Sequence, residues 1–352
     1  MSVYINGTGV ISPQQTFDKM ILQEGFIGKE GNKWLSQEPD YSKFIDGKQI
    51  RRMSRIIRMG IVSSLLATRE AGIEKPESII VGTAFGCLED TYSFLSKLVQ
   101  YQEDMLSPTA FIHSTHNTIA AQIALLFQCR GYNSTYVHRA LSFESALTDA
   151  MLLIEENSAD DVLVGGIDEI TDASYTIMKR IGFYKETEVN EENFYTSGKG
   201  SVAGEGSTFF SLSRSHTASS YAKIAAVESY SFMNGNEVVE KAKELLLRHN
   251  IVQPDLLISG HNGDGTNDKE NDFFAESIKC TNRLLKYKHW CGEYATASAF
   301  ATWLGAEILK HKTIPNSFSE FLKPDKRLNT ILIYNQQEGI HHSLILLQHA
   351  EL

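Results

Sequence analysis

Residues 132–150 read YNSTYVHRALSFESALTDA, and this stretch decides the fold. A short β-branched segment runs through a tight turn into a helix. The helix is predicted from apolar residues that share one face, at Phe143, Ala146, Leu147, Ala150, Met151 and Ile154. Such a strand–turn–helix unit commonly presents a nucleophile at the helix N-terminus, where free N–H groups stabilise an anion. The turn here is Arg139-Ala140-Leu141, so the scaffold is present without a nucleophilic cysteine.

Composition limits the function classes. The chain has 352 residues, of which 42% are hydrophobic and 22% charged, as expected of a large α/β protein. A net charge of −10 argues against a nucleic-acid-binding surface. Neither a membrane-spanning run nor a signal peptide is recognisable, so we expect a cytoplasmic protein with no membrane partner. The four cysteines have no metal-ligand spacing, so we expect no metal.

Strand-like and helix-like segments alternate along most of the chain, which predicts sheets covered by helices. The predicted strands are 3–11, 78–82, 134–137, 161–164, 208–212, 222–228, 256–259, 329–334 and 343–348. The predicted helices are 52–71, 88–100, 117–127, 141–155, 238–248 and 293–309. The polar segment 184–200 is predicted to be a long surface loop. A polar, serine-rich stretch at 213–221 suggests a division into residues 1–215 and 216–352.

Six segments, in this order, resemble the β-ketoacyl-acyl-carrier-protein synthases of the thiolase-like superfamily. They are INGTGVISP at 5–13, RRMSR at 51–55, IIVGTAFGCLED at 79–90, SPTAFIHSTHNTIAAQIALLFQCRGYNST at 107–135, DDVLVGGIDE at 160–169 and GSVAGEGSTFFSLS at 200–213. The resemblance implies an α/β, five-layered αβαβα fold of two similar halves. It also implies a tight dimer, with the nucleophile position in the N-terminal half, and no cofactor.

The resemblance also assigns the positions of the catalytic groups. The family's nucleophilic cysteine falls on Ala140, and its first catalytic histidine falls on His261 in SGHNGDGTND. In the motif that follows, Lys288 matches the family's lysine, whereas Glu293 stands where the second histidine belongs. An acidic residue of the next helix falls on Thr302. The glycine-rich gating loop is replaced by NQQEGIHH at 335–342.

These replacements predict a loss of condensing chemistry. A condensing enzyme holds the acyl chain as a thioester on a thiolate, which Ala140 cannot provide. Glu293 replaces a hydrogen-bond donor by an anion, and at ~4 Å and an effective dielectric near 20 its repulsion of an anionic substrate is of order 4 kcal/mol. A protonated Glu293 could still donate, but only with a raised pKa. Glu144 is expected to add negative charge where an oxyanion would sit.

Several interpretations stay open at this point. His261 is either an active base or, more simply, a structural histidine. Lys288 and Glu293 either form a buried ion pair or are two separate groups. Cys291 and Ser142 are alternative nucleophiles, although neither occupies the cysteine position.

The resemblance also suggests contact surfaces. Arg51, Arg55 and Arg58 are predicted to share a helical face that either docks an acidic acyl carrier protein or is solvated or internally paired.

The segment with Thr109, Phe111 and His113, together with the strand that contains Thr135, is expected to border a substrate tunnel or dimer interface. Phe111 or His113 would then close the tunnel and set the chain length of the product.

Two functional classes remain. The first is a non-catalytic subunit that resembles the chain-length factors of type II fatty-acid, polyketide or aryl-polyene synthases and pairs with an active ketosynthase. The second is a homodimeric acyltransferase or condensing enzyme with rearranged chemistry. Ala140 together with Glu293 favours the first.

Overall fold

The strands carry most of the core. The structure is a computed structural model that describes residues 2–18, 25–104, 107–190, 192–196, 198–314 and 328–351. The strands within these residues are β1 Val3–Ile11, β2 Lys33–Trp34, β3 Ser78–Gly82, β4 Asn133–Tyr136, β5 Asp161–Asp168, β6 Ala203–Gly204, β7 Gly206–Ser213, β8 Ala222–Ser231, β9 Leu256–Ser259, β10 Leu284–Lys286, β11 Thr330–Gln337 and β12 His341–Gln348.

Ten of these strands form one mixed sheet in the order β10-β9-β11-β12-β8-β1-β7-β5-β3-β4. Counted outward from the β1–β8 junction and numbered along the chain, both halves have the strand order first, fifth, fourth, second, third. Parallel and antiparallel pairings also occur at the same places in both halves. Only three residues of β1, Val3–Ile5, pair with Ala222–Ile224 of β8 and join the two. The sheet therefore consists of two half-sheets with the same topology.

The described helices are α1 Gly47–Ile50, α2 Arg55–Ala71, α3 Leu88–Gln100, α4 Pro108–His113, α5 Thr118–Phe127, α6 Ser142–Glu155, α7 Asp172–Arg180, α8 Gly235–Arg248, α9 Gly265–Ser277, α10 Lys288–Cys291 and α11 Ala297–His311. Helices α6 and α11 contact strands of both half-sheets, so they lie between them. Helices α2 and α5 pack outside the N-terminal half-sheet, whereas α8 and α9 pack outside the C-terminal one. This layering is αβαβα, as the family resemblance implied.

The helix layer between the two half-sheets is apolar because sheets cover it on both sides. The largest core cluster lies between the half-sheets and includes Phe143 of α6 and Phe300 and Trp303 of α11. Helix α11 is buried along thirteen of its fifteen residues, since both of its sides face a sheet. The predicted division after residue 215 falls between β7 and β8, and it remains a prediction.

Some predicted elements need correction. The helix predicted from residue 52 begins at Arg55, with Ser54 as its N-cap, so Arg51 lies outside it. Within the described residues, five helices and three strands were not predicted: α1, α4, α7, α9 and α10, and β2, β6 and β10. The segment 184–200 is not a simple surface loop, because Lys185 and Phe194 are buried within it.

Candidate functional site

The turn between β4 and α6 has the shape expected of a nucleophile turn. Arg139 adopts a positive φ of 48°, a left-handed conformation uncommon for a non-glycine residue. The Ser142 hydroxyl holds the turn: it accepts from the His138 N–H at 2.8 Å and donates to the Arg139 carbonyl at 3.0 Å. Ala140 is only 4% exposed. The turn thus places a methyl group at the nucleophile position, and the Ser142 hydroxyl is committed to holding the backbone.

Lys288 and Glu293 form an ion pair inside the protein. The Lys288 Nζ lies 2.8 Å from the Glu293 Oε2, and the Asn262 side-chain amide donates to the same oxygen at 2.8 Å. Lys288 is 1% exposed and Glu293 9%. The ammonium compensates the carboxylate, so the repulsion expected of an isolated anion is largely removed. The family's histidine donates a hydrogen bond from this position, whereas the Glu293 side chain accepts hydrogen bonds from Lys288 and Asn262.

His261 is fully buried, and both of its ring nitrogens are engaged. Its Nε2 lies 2.9 Å from the Asp272 Oδ1, and its Nδ1 lies 3.1 Å from the Ser259 hydroxyl. Burial lowers the pKa of His261, although the Asp272 carboxylate acts in the opposite direction. A neutral imidazole that donates from Nε2 to Asp272 has no second N–H for a thioester carbonyl. This arrangement fits a structural histidine.

The other positions singled out in the sequence carry no free reactive group either. Burial raises the pKa of the Cys291 thiol well above its usual value, and the nearby Lys288 only partly offsets this effect. A thiol of this kind is a poor nucleophile near neutral pH. Thr302, at the position of the family's acid, donates to the Ser298 carbonyl of its own helix at 2.8 Å. Because threonine has no charge, Thr302 cannot pair with Lys288, and the counter-ion of Lys288 is Glu293.

Glu144 corrects one expectation of the sequence analysis. Its side chain is fully buried, and its Oε1 accepts from the Ser343 hydroxyl at 2.9 Å. Burial raises the pKa of this carboxyl, and hydrogen bonds from Ser298 and Ser343 offset it only in part. Glu144 is thus shifted toward its neutral form and is a weaker source of negative charge at the turn than predicted.

The segment that replaces the gating loop is a regular hairpin. Strands β11 and β12 pair continuously from Thr330 with Gln348 to Gln337 with His341. The His341 ring makes an edge contact with the His138 ring, with centroids 5.2 Å apart. Together with the Ser343–Glu144 hydrogen bond, this contact fastens the hairpin onto the start of α6. A paired hairpin of this kind is suited to closing the site and poorly suited to opening a gate.

Two side chains that were not identified from the sequence connect the 184–200 segment to the loop after His261: Lys185, and Asp264 at the N-cap of α9. The Lys185 amine donates at 2.7 Å to the carbonyl of Gly263, which follows His261 by two residues in the chain. Asp264 accepts hydrogen bonds from the Gly200 and Thr266 N–H groups. These contacts bind the 184–200 segment to the His261 loop. A polar segment with a lysine among aromatic residues gave no pattern from which this cover could be predicted.

His289 also lies near the site, and its burial can be tested through the pH dependence of stability. Tyr195 hydrogen-bonds the Nδ1 of His289 at 2.7 Å, and burial lowers the pKa of His289 from 6.5 to about 3. Below pH 6.5 the unfolded chain gains a proton that the folded chain does not, so this group makes stability fall on acidification. Between pH 7 and pH 5 the loss is about 2 kcal/mol relative to a His289→Phe variant.

Urea unfolding of both proteins at the two pH values measures this difference directly. We expect the stability gap between the wild-type protein and His289→Phe to narrow on acidification. A gap that stays constant would mean that His289 takes up its proton in the folded state.

The predicted tunnel residues lie on two elements, Thr109, Phe111 and His113 on α4 and Thr135 on β4. Thr109 and His113 line an open cavity of about 800 Å³ between α1, α3, α4 and α5. Phe111 instead packs against Phe94, with ring centroids 5.7 Å apart, and is 57% exposed. Thr135 lies on β4, the last strand of the sheet order, opposite Val81 of β3.

Two of the three arginines that were predicted to share a helical face, Arg55 and Arg58, make contacts within the chain. Arg55 donates from its two terminal guanidinium nitrogens to the fully buried Glu205, from one of them at 2.8 Å, and from its Nε to Glu38. Arg58 lies over the Tyr41 ring, 5.1 Å from its centroid. Of the interpretations left open by the sequence, the internally paired one describes Arg55.

No group of three or more His, Cys, Asp or Glu side chains in the described ranges could hold a metal ion. In the same part of the chain, every helix is too short or too polar to cross a membrane.

Comparisons with known proteins bear on the whole chain. Three solved structures superpose on it over 99% of its length. The ishigamide ketosynthase/chain length factor has 15% sequence identity, 98% of its own chain covered and a TM-score of 0.82, and a ketosynthase in complex with its chain length factor from Xenorhabdus doucetiae has 16% identity, 98% coverage and a TM-score of 0.78. A type II polyketide acyl-carrier protein in complex with its ketosynthase has 16% identity, 99% coverage and a TM-score of 0.73. At these identities the similarity shows the fold. No curated protein sequence matches significantly.

The sequence profile of the beta-ketoacyl synthase N-terminal domain matches residues 9–218, which is more than half of the chain. This region contains the nucleophile turn, the end of β1, strands β2 to β7 and helices α1 to α7. The chain therefore belongs to the beta-ketoacyl synthase family.

Proposed function

We propose that this protein is a non-catalytic partner subunit of a β-ketoacyl synthase, comparable to a chain-length factor, and that its counterpart supplies the catalytic cysteine. The observation that carries the proposal is Ala140 at the N-terminus of α6, in a turn whose backbone geometry is otherwise complete. Because no thiolate can form there, the chain cannot hold an acyl thioester at that position. The pathway would be a type II fatty-acid, polyketide or aryl-polyene synthase that uses an acyl carrier protein.

The two hydrogen-bond donors of a condensing site are also compromised. Glu293 accepts hydrogen bonds from Lys288 and Asn262, and the His261 Nε2 is engaged with Asp272. Removing one oxyanion donor typically costs about 10²- to 10³-fold in rate. The combined losses support a subunit that no longer catalyses condensation by itself.

The alternative, an acyltransferase or condensing enzyme with rearranged chemistry, needs a displaced nucleophile. Ser142 is hydrogen-bonded to the backbone on both sides, and burial suppresses ionisation of Cys291. Neither group has the partner that an activated nucleophile requires. These observations favour the partner-subunit proposal.

The exposed edge of the sheet supports a partner. The N–H of Ile79 in β3 donates to the Tyr132 carbonyl, and the N–H of Thr83, directly after β3, donates to the Tyr136 carbonyl. Because backbone groups alternate along a strand, those of Thr135 face away from β3, toward the side of β4 on which no other described strand pairs. An open edge is a template for pairing with another chain. The apolar side chains on either side of β4 in the chain, Tyr132 and Val137, are exposed.

The test is co-expression with candidate ketosynthases that have the cysteine and both histidines. We expect a stable one-to-one complex by size-exclusion chromatography with mass analysis. A chain that stays monomeric with every candidate ketosynthase and also alone would contradict the proposal.

Thr135→Pro should disrupt this complex. Proline removes the N–H at the free edge, while the carbonyls that accept from β3 belong to the neighbouring residues, so the subunit itself should stay folded. Thr135→Val is the matched control, since it keeps the N–H and the strand propensity. We expect the proline variant to elute as separate subunits and the valine variant to elute as the complex. Equal complex formation by both variants would show that this edge is not the interface.

A further inference from the structure

Two imidazole rings meet where the nucleophile turn touches the β11–β12 hairpin. His138 directly precedes the turn and is exposed, and His341 is the first residue of β12 and is half-buried. Their ring centroids lie 5.2 Å apart, at an interplanar angle of 86°. The first ring belongs to the N-terminal half of the chain and the second to the C-terminal half. The partner-subunit proposal gives neither ring a role.

Three of the four ring nitrogens in this pair are available to a ligand. The Nδ1 of His341 lies 2.8 Å from the Ser231 hydroxyl, whereas its Nε2 and both nitrogens of His138 make no hydrogen bond or ion pair within the described residues. A hydrogen bond from Nδ1 to Ser231 selects the tautomer in which the His341 Nε2 carries a free lone pair. Metal-binding histidines are commonly held in this way, with the other ring nitrogen fixed by a neighbouring acceptor.

The spacing of the two rings suits a shared metal ion. Two imidazoles on one tetrahedral zinc ion, at metal–nitrogen distances of about 2.0–2.1 Å, have ring centroids about 5 Å apart. Because the His138 ring is exposed, it can rotate about its side-chain bonds until a nitrogen points at the same ion. Two protein ligands leave the remaining coordination positions to water, so the site is of the open kind and differs from a closed structural zinc site.

The surroundings keep His341 in the form that binds a metal. Burial and the neighbouring His138 lower the pKa of His341, and the Glu338 carboxylate offsets this effect only in part. A metal binds the neutral imidazole, so a lowered pKa reduces the competition from protons near neutral pH. The negative charge of Glu338 also favours a cation beside the pair.

We propose that His138 and His341 bind a divalent transition-metal ion, such as Zn²⁺ or Cu²⁺, between the nucleophile turn and the hairpin. Imidazole ligands suit both ions, and Cu²⁺ is expected to bind more tightly than Zn²⁺. Because the two ligands come from different halves of the chain, a bound ion fixes the hairpin to the start of α6. The inference concerns the isolated chain, so it does not depend on pairing with a ketosynthase.

Isothermal titration calorimetry of the untagged chain with Zn²⁺ and with Cu²⁺ tests the site. His138→Gln and His341→Gln each remove one ligand and should each weaken binding at least about tenfold. Ser231→Ala removes only the group that orients the His341 ring, so it should weaken binding less than either ligand substitution. His113→Gln/His249→Gln is the matched control, since it removes two imidazoles outside the pair and should leave binding unchanged. Circular dichroism and thermal unfolding confirm that each variant is folded.

Amide hydrogen exchange shows whether the ion joins the two halves. The wild-type chain is compared with and without saturating Zn²⁺. We expect the bound ion to slow exchange both in the turn between β11 and β12 and at residues 138–141, because local opening must then break a metal–ligand bond. The His138→Gln variant should show no such change. A contact between the rings that is only structural would not respond to the ion in this way.

Four results would overturn the inference. They are no binding of either ion, binding that both ligand substitutions leave unchanged, equal weakening by the control pair, and bound Zn²⁺ that leaves exchange at the hairpin unchanged. None of these results bears on whether the chain assembles with a ketosynthase.

Discussion

Replacing Glu293 by alanine is expected to lower the free energy of unfolding by about 3–5 kcal/mol. The substitution removes the counter-ion of Lys288, whose side chain is 1% exposed and cannot reach water without local unfolding. An unpaired buried ammonium costs far more than the lost hydrogen bond alone, because its desolvation is no longer compensated. Urea unfolding at neutral pH measures the change, and the slope of the transition checks that unfolding remains two-state.

The double variant Lys288→Met/Glu293→Leu is the control. It removes both charges and keeps apolar volume, so it should lose much less stability than Glu293→Ala. If both variants lost the same amount, the cost would come from packing around Glu293, and the ion pair would have no special importance.

Ala140→Cys is expected to leave condensation undetectable. The variant returns a thiol to the N-terminus of α6, yet it returns neither hydrogen-bond donor. Because Glu293 accepts from Lys288 and Asn262, and His261 donates to Asp272, the carbonyl of an acyl thioester would find no imidazole N–H. With each missing donor worth about 10²- to 10³-fold, a deficit of about 10⁴-fold or more remains.

The variant Ala140→Cys/Glu293→His should be more active than either single change, but it also leaves Lys288 unpaired. Adding Thr302→Glu returns a carboxylate at the position where the family resemblance places its acid. We therefore expect the triple variant to be both more stable and more active than the double one. The readout is decarboxylation and condensation of malonyl-carrier protein. Full activity of Ala140→Cys alone would show that Glu293 and the engaged His261 do not limit the chemistry.

The regular core of the fold was predictable from sequence because its patterns are local. Strands β1, β3 and β9 and helix α3 have the predicted bounds. Strand β10 was missed because it is only three residues long and is defined by its pairing with β9, 25 or more positions away in the chain. Helix α9 was missed because acidic and amide residues dominate it, and only its Asp264 N-cap marks its start.

The candidate site was predictable only where one residue carries the argument. Ala140 reads directly from the sequence, since its meaning depends on the strand and helix around it. The partners of the other groups depend on tertiary contacts: Asp272 lies in the missed helix α9, and Ser343, which offers Glu144 a hydrogen bond, is 199 positions away. The ion pair of Lys288 with Glu293 was one of two readings, and only the folded geometry distinguishes them.

If this chain is a non-catalytic subunit, its partner, and not this chain, carries the acyl group. The most direct measurement is intact-mass spectrometry of the reconstituted complex after incubation with an acyl-carrier protein or acyl-coenzyme A. We expect one acyl adduct on the ketosynthase and an unmodified mass for this chain. The adduct should disappear when the cysteine of the ketosynthase is replaced. A stoichiometric adduct on this chain, mapped for example to Ser142 or Cys291, would contradict it.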